Sequence, residues 1–390
     1  MKVNFKTLAF IIIFLSLLEP DYFTSIDIIH DYYIVMRVIT LFLAFLYFLV
    51  KNMVPKITSI IVIYFGIYGF STYINNGDMM SFFAYSSYIV SFVAWLEITL
   101  RRYTMKGLYS LNFVYSLHVY INLFFYIVFP QGYTYSITYA GNVIERYFLG
   151  VENQFASTLI PAIVINIVYN YAKHSKLKIN SYLLIITVLF TFIYIWSATS
   201  IVGISLIILY LLLINRKKVK AIINNKTIII TTVSLFISVV VLRIIDIFSF
   251  LIEDLLGKDV TLSTRTLLWD RAFIYIENSP WLGYGYLGSG RYLQVTSTRF
   301  MDSHNTVLQL LLQHGYLGLI LFAILVFMFF KNLSIYKESN ITKFILFSFF
   351  VATTMMLSEV YSFTFLLVIL VLGIFSPYII REQEKTLSKG

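Results

Sequence analysis

The chain has 390 residues, of which 59% are hydrophobic, 18% aromatic and only 12% charged, with a mean hydropathy of +0.83. That balance excludes an ordinary soluble globular protein and leaves an integral membrane protein. The net charge is +10 and there is no cysteine, which excludes disulfides, thiol catalysis and cysteine-bound zinc.

Apolar runs of spanning length repeat from end to end, centred near residues 12, 42, 65, 90, 118, 161, 189, 207, 238, 320, 351 and 371. They predict an all-α polytopic fold of about twelve transmembrane helices. The first run, "FKTLAFIIIFLSLL", has the charged head and apolar core of a signal peptide but no small-residue cleavage site after it, so it reads as a retained helix. Alternate breaks are basic: Lys2 and Lys6; Lys51 and Lys56; Arg101, Arg102 and Lys106; Lys173, Lys176 and Lys178; Arg216 to Lys226; Lys331, Lys337 and Lys343; Arg381 to Lys389. The breaks between them are acidic or neutral, as in "EPDYFTSIDIIHDYY" (19–33). The positive-inside rule then puts both termini in the cytoplasm of a multi-pass protein of the cytoplasmic membrane. The positive charge is a topology signal spread over separate loops, and no nucleic-acid face results.

The acids of residues 19–31 read as a solvated face, with loose cation binding as the sharper alternative. The five histidines show no metal-ligand spacing. Arg37 and Arg243 fall nominally within spans, where an arginine either faces an internal cavity or snorkels from a helix end. His118 reads as a packing residue. Two external breaks are long: residues 130–150, with Arg146, and residues 249–303, between spans nine and ten. The second carries most of the external charge, so the chemistry of the single transmembrane domain (1–390) is expected there.

Inside that loop "STRTLLWDRAFIYIENSP" predicts a helix capped by Ser263 or Thr264 and stopped at Pro280. Arg265, Leu268, Trp269, Ala272 and Ile276 share one face, and Arg271 turns toward water. Beside an apolar wall, Arg265 either grips a pyrophosphate bidentately or anchors the loop on lipid headgroups. "WLGYGYLGSGR" (281–291) has a G-x-G without the strand and helix of a nucleotide site and reads as a tight turn. Its Trp281, Tyr284 and Tyr286 suit either sugar stacking or an interfacial belt.

"MDSHNTVLQLLLQHGYLGLILF" (301–322) then sets Asp302, Ser303, His304 and Asn305 before a span. With Ser303 as N-cap, His304 and Asn305 occupy the first helical turn, where the dipole favours an anion and a neutral imidazole able to accept a proton. The blander reading is a histidine that only caps the interface. His314-Gly315 reads as a break before the span proper.

Taken in order, the Arg-x-x-x-Trp helix (Arg265, Trp269), the Pro-x-x-Gly-x-Gly turn (Pro280, Gly283, Gly285) and the His-Asn helix start with its Gly-x-x-Gly break (His304, Asn305, Gly315, Gly318) resemble the O-antigen ligase and polymerase superfamily, in particular the Wzy-type polysaccharide polymerases. "FLGVENQFAS" (148–157) is similar to the start of that family's sixth span. The resemblance implies a glycosyltransferase C-like fold and a metal-independent transferase without cofactor, acting on undecaprenyl-pyrophosphate-linked oligosaccharide at the outer face of the lipid bilayer. It implies that His304 serves the acceptor hydroxyl and Arg265 the departing pyrophosphate, with a flippase and a chain-length regulator as partners. Arg146, Asn305, Ser303, Trp269, Arg271 and Arg291 complete the candidate substrate-binding set. Ligase-type members carry a Ser-Arg pair between the seventh and eighth spans. Here Thr199-Ser200 stands there, which favours a polymerase and makes Arg146 the first candidate for the second positive charge. The competing readings are a ligase acting on another acceptor and a flippase of lipid-linked oligosaccharide.

Overall fold

A computed structural model describes residues 4–137, 143–243, 261–288 and 302–388, without the side chains of Asn153 and of residues 261–267. The described residues are mainly helical: α1 (Phe5–Leu17), α2 (Asp21–Thr24), α3 (Asp27–Val50), α4 (Lys56–Ile74), α5 (Met79–Arg102), α6 (Thr104–Val128), α7 (Ala156–His174), α8 (Ile179–Tyr194), α9 (Ala198–Leu213), α10 (Lys217–Ile222) and α11 (Asn225–Phe236). After these come α12 (Thr261–Asn278), α13 (Thr306–Leu333), α14 (Asn340–Met355), α15 (Phe363–Ile374) and α16 (Ser376–Leu387). A short antiparallel hairpin, β1 (Thr134–Ile137) and β2 (Val143–Arg146), pairs Thr134 with Arg146.

Every one of the twelve expected centres falls in a helix, counting the π-helical extension of α11 at Ile237–Val241. Among the described residues, five helices are long and apolar enough to cross a membrane by length and composition, or six if the bent pair α15 and α16 is one span. The protein is thus a polytopic helical membrane protein. A count of twelve crossings would also need the shorter helices, such as α1, α8 and α9, which stop below the ~20 residues of a straight span.

At the centre is α15, buried at every residue from Thr364 to Ile374, as a helix apolar on all sides must be. It packs against α5, α7, α13 and α14. Loop contacts fall into two sets. Arg101 Nη1 donates to Val54 O (2.9 Å), Lys343 Nζ to Lys220 O (2.6 Å) and Gln383 Nε2 to Tyr171 O (3.0 Å), each joining two of the basic breaks. Tyr22 N donates to Phe148 O (3.1 Å) and Ser362 N to Ser157 Oγ (3.3 Å), and Thr199 Oγ1 meets Ser358 Oγ at 3.2 Å; these contacts join the other breaks.

One span is broken. Gly315 inside α13 has φ 59° and ψ −163°, which divides it into a short segment from Thr306 and a long one. A break frees backbone polar groups that hydrocarbon cannot satisfy. The turn after α12 supplies the partners: Leu312 O and Gln313 O accept from Tyr284 N (2.8 Å) and Gly285 N (3.0 Å), while Tyr316 N and Leu317 N donate to Pro280 O (2.7 Å) and Trp281 O (3.2 Å). The same turn is fixed to α4, where Ser71 Oγ donates to Gly283 O (3.0 Å) and Thr72 Oγ1 accepts from Tyr286 N (2.9 Å). The approach demands glycine. A Cβ on Gly283 would lie 2.5 Å from Leu312 O, and one on Gly285 2.4 Å from Thr72 Cα.

Candidate functional site

Helix α12 begins at Thr261, ahead of the expected caps Ser263 and Thr264, which lie inside it. Its end at Asn278 and its apolar face agree with the pattern: Leu268, Trp269, Ala272 and Ile276 are all buried, packed with Leu308, Leu312 and Leu287. Trp269 is the anchor of the site. Its indole Nε1 donates to Ser303 O at 3.1 Å and so holds the strap before α13 against α12. Arg265 sits on α12, but its side chain is outside the described residues, as is Arg291 altogether. Arg271 is half-buried and partnered, rather than turned fully to water.

The expected helix start needs correction. The N-cap is Asn305, not Ser303: Asn305 Oδ1 accepts from Leu308 N at 3.0 Å, and the helix begins at Thr306. Ser and Asn are equally good caps, and tertiary contacts decide between them. Asn305 Nδ2 donates to Leu357 O (2.9 Å), Thr306 N to Met356 O (3.1 Å) and Thr306 Oγ1 to Glu359 O (2.9 Å), all in the turn between α14 and α15. Ser303 instead closes the strap on itself. Its Oγ donates to Asn305 O (2.8 Å) and its N–H to Gln309 Oε1 (3.1 Å).

His304 therefore lies outside the first helical turn, in left-handed backbone at φ 47°. The dipole argument for a neutral imidazole does not apply there. Its N–H donates to Asp302 Oδ1 (2.7 Å), and its Nδ1 lies 3.7 Å from Asp302 Oδ1 and 3.6 Å from Glu359 Oε2. At these distances the carboxylates are beyond hydrogen-bond reach of Nδ1, but they place negative charge on that side of the ring and leave Nε2 as the candidate proton acceptor. The imidazole is about one-third exposed, so a substrate can reach it.

Sequence reasoning missed Glu359. It stands in the "SEVYSF" break (358–363), which the charge alternation assigns to the same side as residues 249–303, and that was the available signal. Thr199, beside the position where ligase-type members place arginine, touches Ser358, so this turn also borders the site.

Two further expectations change. Arg146, on β2, is bound by Asp21: Nε donates to Oδ2 at 2.9 Å and Nη2 pairs with Oδ1, a two-pronged ion pair that raises the guanidinium above its already high value. No described contact brings it to His304. The acids of residues 19–31 are not simply a solvated face, since Glu19 accepts from Arg37 Nη2 (2.6 Å) and faces His30 Nδ1 (2.9 Å), with its own side chain only 3% exposed. Arg37 takes the cavity reading. It lies within α3, 12% exposed and over the Tyr88 ring at 5.2 Å. It lines a cavity of about 580 Å³ that also takes in Asp302, beside His304. Arg243 pairs with Asp270 of α12 instead. His118 is buried against Phe148, as expected, and borders the same cavity.

Residues 183–323 match the family model described as O-Antigen ligase. Over 100 residues the chain is 30% identical to a protein named putative polysaccharide ligase from Rickettsia felis (strain ATCC VR-1525 / URRWXCal2), an alignment covering 23% of this chain and 24% of that one. The chain thus spans about a quarter of the length of that curated relative. No solved structure matches. Both findings support the ligase/polymerase superfamily as a whole, and neither names a polymerase. The matched segment contains α12, the 280–285 turn, His304 and the Gly315 break; it leaves out Glu19, Arg37, Arg146 and Glu359.

Proposed function

We propose that the protein polymerises a surface polysaccharide, transferring an oligosaccharide from its undecaprenyl pyrophosphate carrier to a sugar hydroxyl at the outer face of the cytoplasmic membrane. The observation that carries the reading is the seat of His304: a reachable imidazole with Asp302 and Glu359 beside Nδ1, on a strap fixed by Trp269 and Asn305, all but Glu359 within the matched segment. In this reaction the acceptor oxygen bonds to the donor's anomeric carbon as the bond to pyrophosphate breaks. His304 Nε2 takes the hydroxyl proton, Glu359 and Asp302 stabilise the imidazolium formed, and Arg265 receives the charge of the leaving pyrophosphate. The loop of residues 249–303 is the extracytoplasmic catalytic loop of this scheme.

Both the matched family's description and the relative's name favour a second reading, a ligase that moves a finished chain to a different acceptor. The lipid-linked glycans of a deletion strain separate the two. A lost polymerase leaves single repeat units on the carrier, whereas a lost ligase leaves long chains there. Complementation by His304→Ala or Arg265→Ala, expressed at normal level, is expected to fail; normal polymer from both would end the transferase assignment to these residues.

A further inference from the structure

The cavity over Arg37 has no part in the scheme above beyond its shared border at Asp302. It is built almost wholly from residues outside the matched segment, and its volume of about 580 Å³ is that of a small-molecule site. Among the described residues its wall carries three carboxylates, Glu19, Asp21 and Asp302, against one guanidinium, Arg37. That guanidinium is already held by Glu19, which also faces His30 Nδ1, and among the described arginines and lysines the other one in reach, Arg146, is bound by Asp21. A pyrophosphate entering here would meet net negative charge in a partly desolvated space, which disfavours it.

A neutral polyhydroxyl ligand meets the opposite situation. Carboxylates accept from its hydroxyls, the tyrosine hydroxyls both donate and accept, and the faces of Tyr88, Tyr115 and Tyr286 offer apolar area to pyranose C–H groups. The cavity's edge at Asp302 is two residues before His304 and accepts from its backbone N–H, so the last sugar of such a ligand would present its hydroxyl to the imidazole.

We propose that this cavity binds the acceptor oligosaccharide, as an uncharged sugar chain, and is where acceptor specificity is set. The proposal rests on the transferase reading for its role, but sugar binding can be measured without turnover. The probe is the oligosaccharide released by mild acid from the lipid-linked pool of the producing cells, titrated by calorimetry against the full-length protein in lipid nanodiscs. Binding is expected in the wild type and is retained, with at most a modest loss of affinity, in His304→Ala, and excess inorganic pyrophosphate does not compete. Glu19→Gln, and Thr24→Trp at the cavity wall, weaken it by roughly tenfold or more. Should Glu19→Gln not fold, Thr24→Trp carries the test, because Thr24 is exposed and its side chain only meets Asp21 O. No binding by folded wild type, equal binding by the folded variants, or displacement by pyrophosphate would each overturn the assignment. Failure of the transferase reading looks different: polymer persists in His304→Ala cells while the protein still binds the sugar.

Discussion

At the scale of single residues, His304 combines a reactive side chain with an unfavourable backbone. A left-handed conformation costs a non-glycine residue about 1–2 kcal/mol, and such strain persists where surrounding contacts over-determine it. Here the fixing contacts are Trp269 on Ser303 O and Asn305 on Leu357 O. His304→Gly and His304→Ala are both expected to lose activity, but the glycine variant should unfold later, by about 1 kcal/mol in chemical or thermal denaturation. An alanine variant as stable as the glycine one would remove the strain argument.

Glu152 shows how a carboxylate outside the spans links stability to pH. Burial raises its pKa above the usual value, the Tyr126 hydroxyl at 2.8 Å offsets part of this, and Glu145 pushes upward again. With the folded value above the unfolded one, the folded state holds the extra proton. The contribution of Glu152 is therefore fully present below the unfolded carboxylate pKa and is lost as pH rises through the raised folded value. Glu152→Gln should flatten that part of the Tm-against-pH curve and raise Tm at neutral pH relative to wild type. A steeper fall in the variant would reverse the sign assigned here.

At the scale of elements, Gly283 of the turn and Gly315 of α13 are explained by one contact, that of the turn with the break. A Cβ on Gly315 would lie 2.4 Å from the backbone of Trp281, in addition to the cost of φ 59°. Gly315→Ala should thus cost at least about 2 kcal/mol and expose the 281–288 segment to protease. Gly66→Ala is the control: it lies in the interior of α4 with nothing within 4 Å of its Cβ, and alanine there should hold or raise Tm. This contact was only half legible in sequence. The Gly-rich turn and the His314-Gly315 break could each be read from local chemistry, but nothing local says that the turn closes the break. Likewise Ser303 and Asn305 are interchangeable as caps until the carbonyls of Met356 and Leu357, some fifty residues away, make the choice. The partners Asp21 of Arg146 and Glu359 of His304 are similarly remote, and a local pattern carries no trace of them.

For the whole molecule, hydropathy located the apolar helices of the described residues because burial and lipid exposure both demand apolar side chains. It could not separate the five helices long enough to cross alone from the shorter ones, since helix length is set by caps and tertiary packing. The two sets of loop contacts group the basic breaks with one another and the remaining breaks with one another, and the orientation proposed for the protein puts the basic group inside. A chain without cysteine makes this directly measurable, because any introduced thiol is unique. Tyr135→Cys in β1, 64% exposed, should react with an impermeant maleimide on intact cells, and Lys217→Cys should react only after permeabilisation. The reverse pattern would invert the topology.

The closure of the broken span by the 280–285 turn also limits how the protein can be recombined. The large loop is not a cassette. Its glycine turn is fitted on one side to the peptide bonds around Gly315 and on the other to Ser71 and Thr72 of α4, so three distant stretches of chain form a single joint. A chimera that imports this loop from a relative must import the matching parts of α4 and α13 with it. Without them it leaves the backbone groups around Gly315 without their partners, and cellular quality control would remove it before any change in glycan product could be seen.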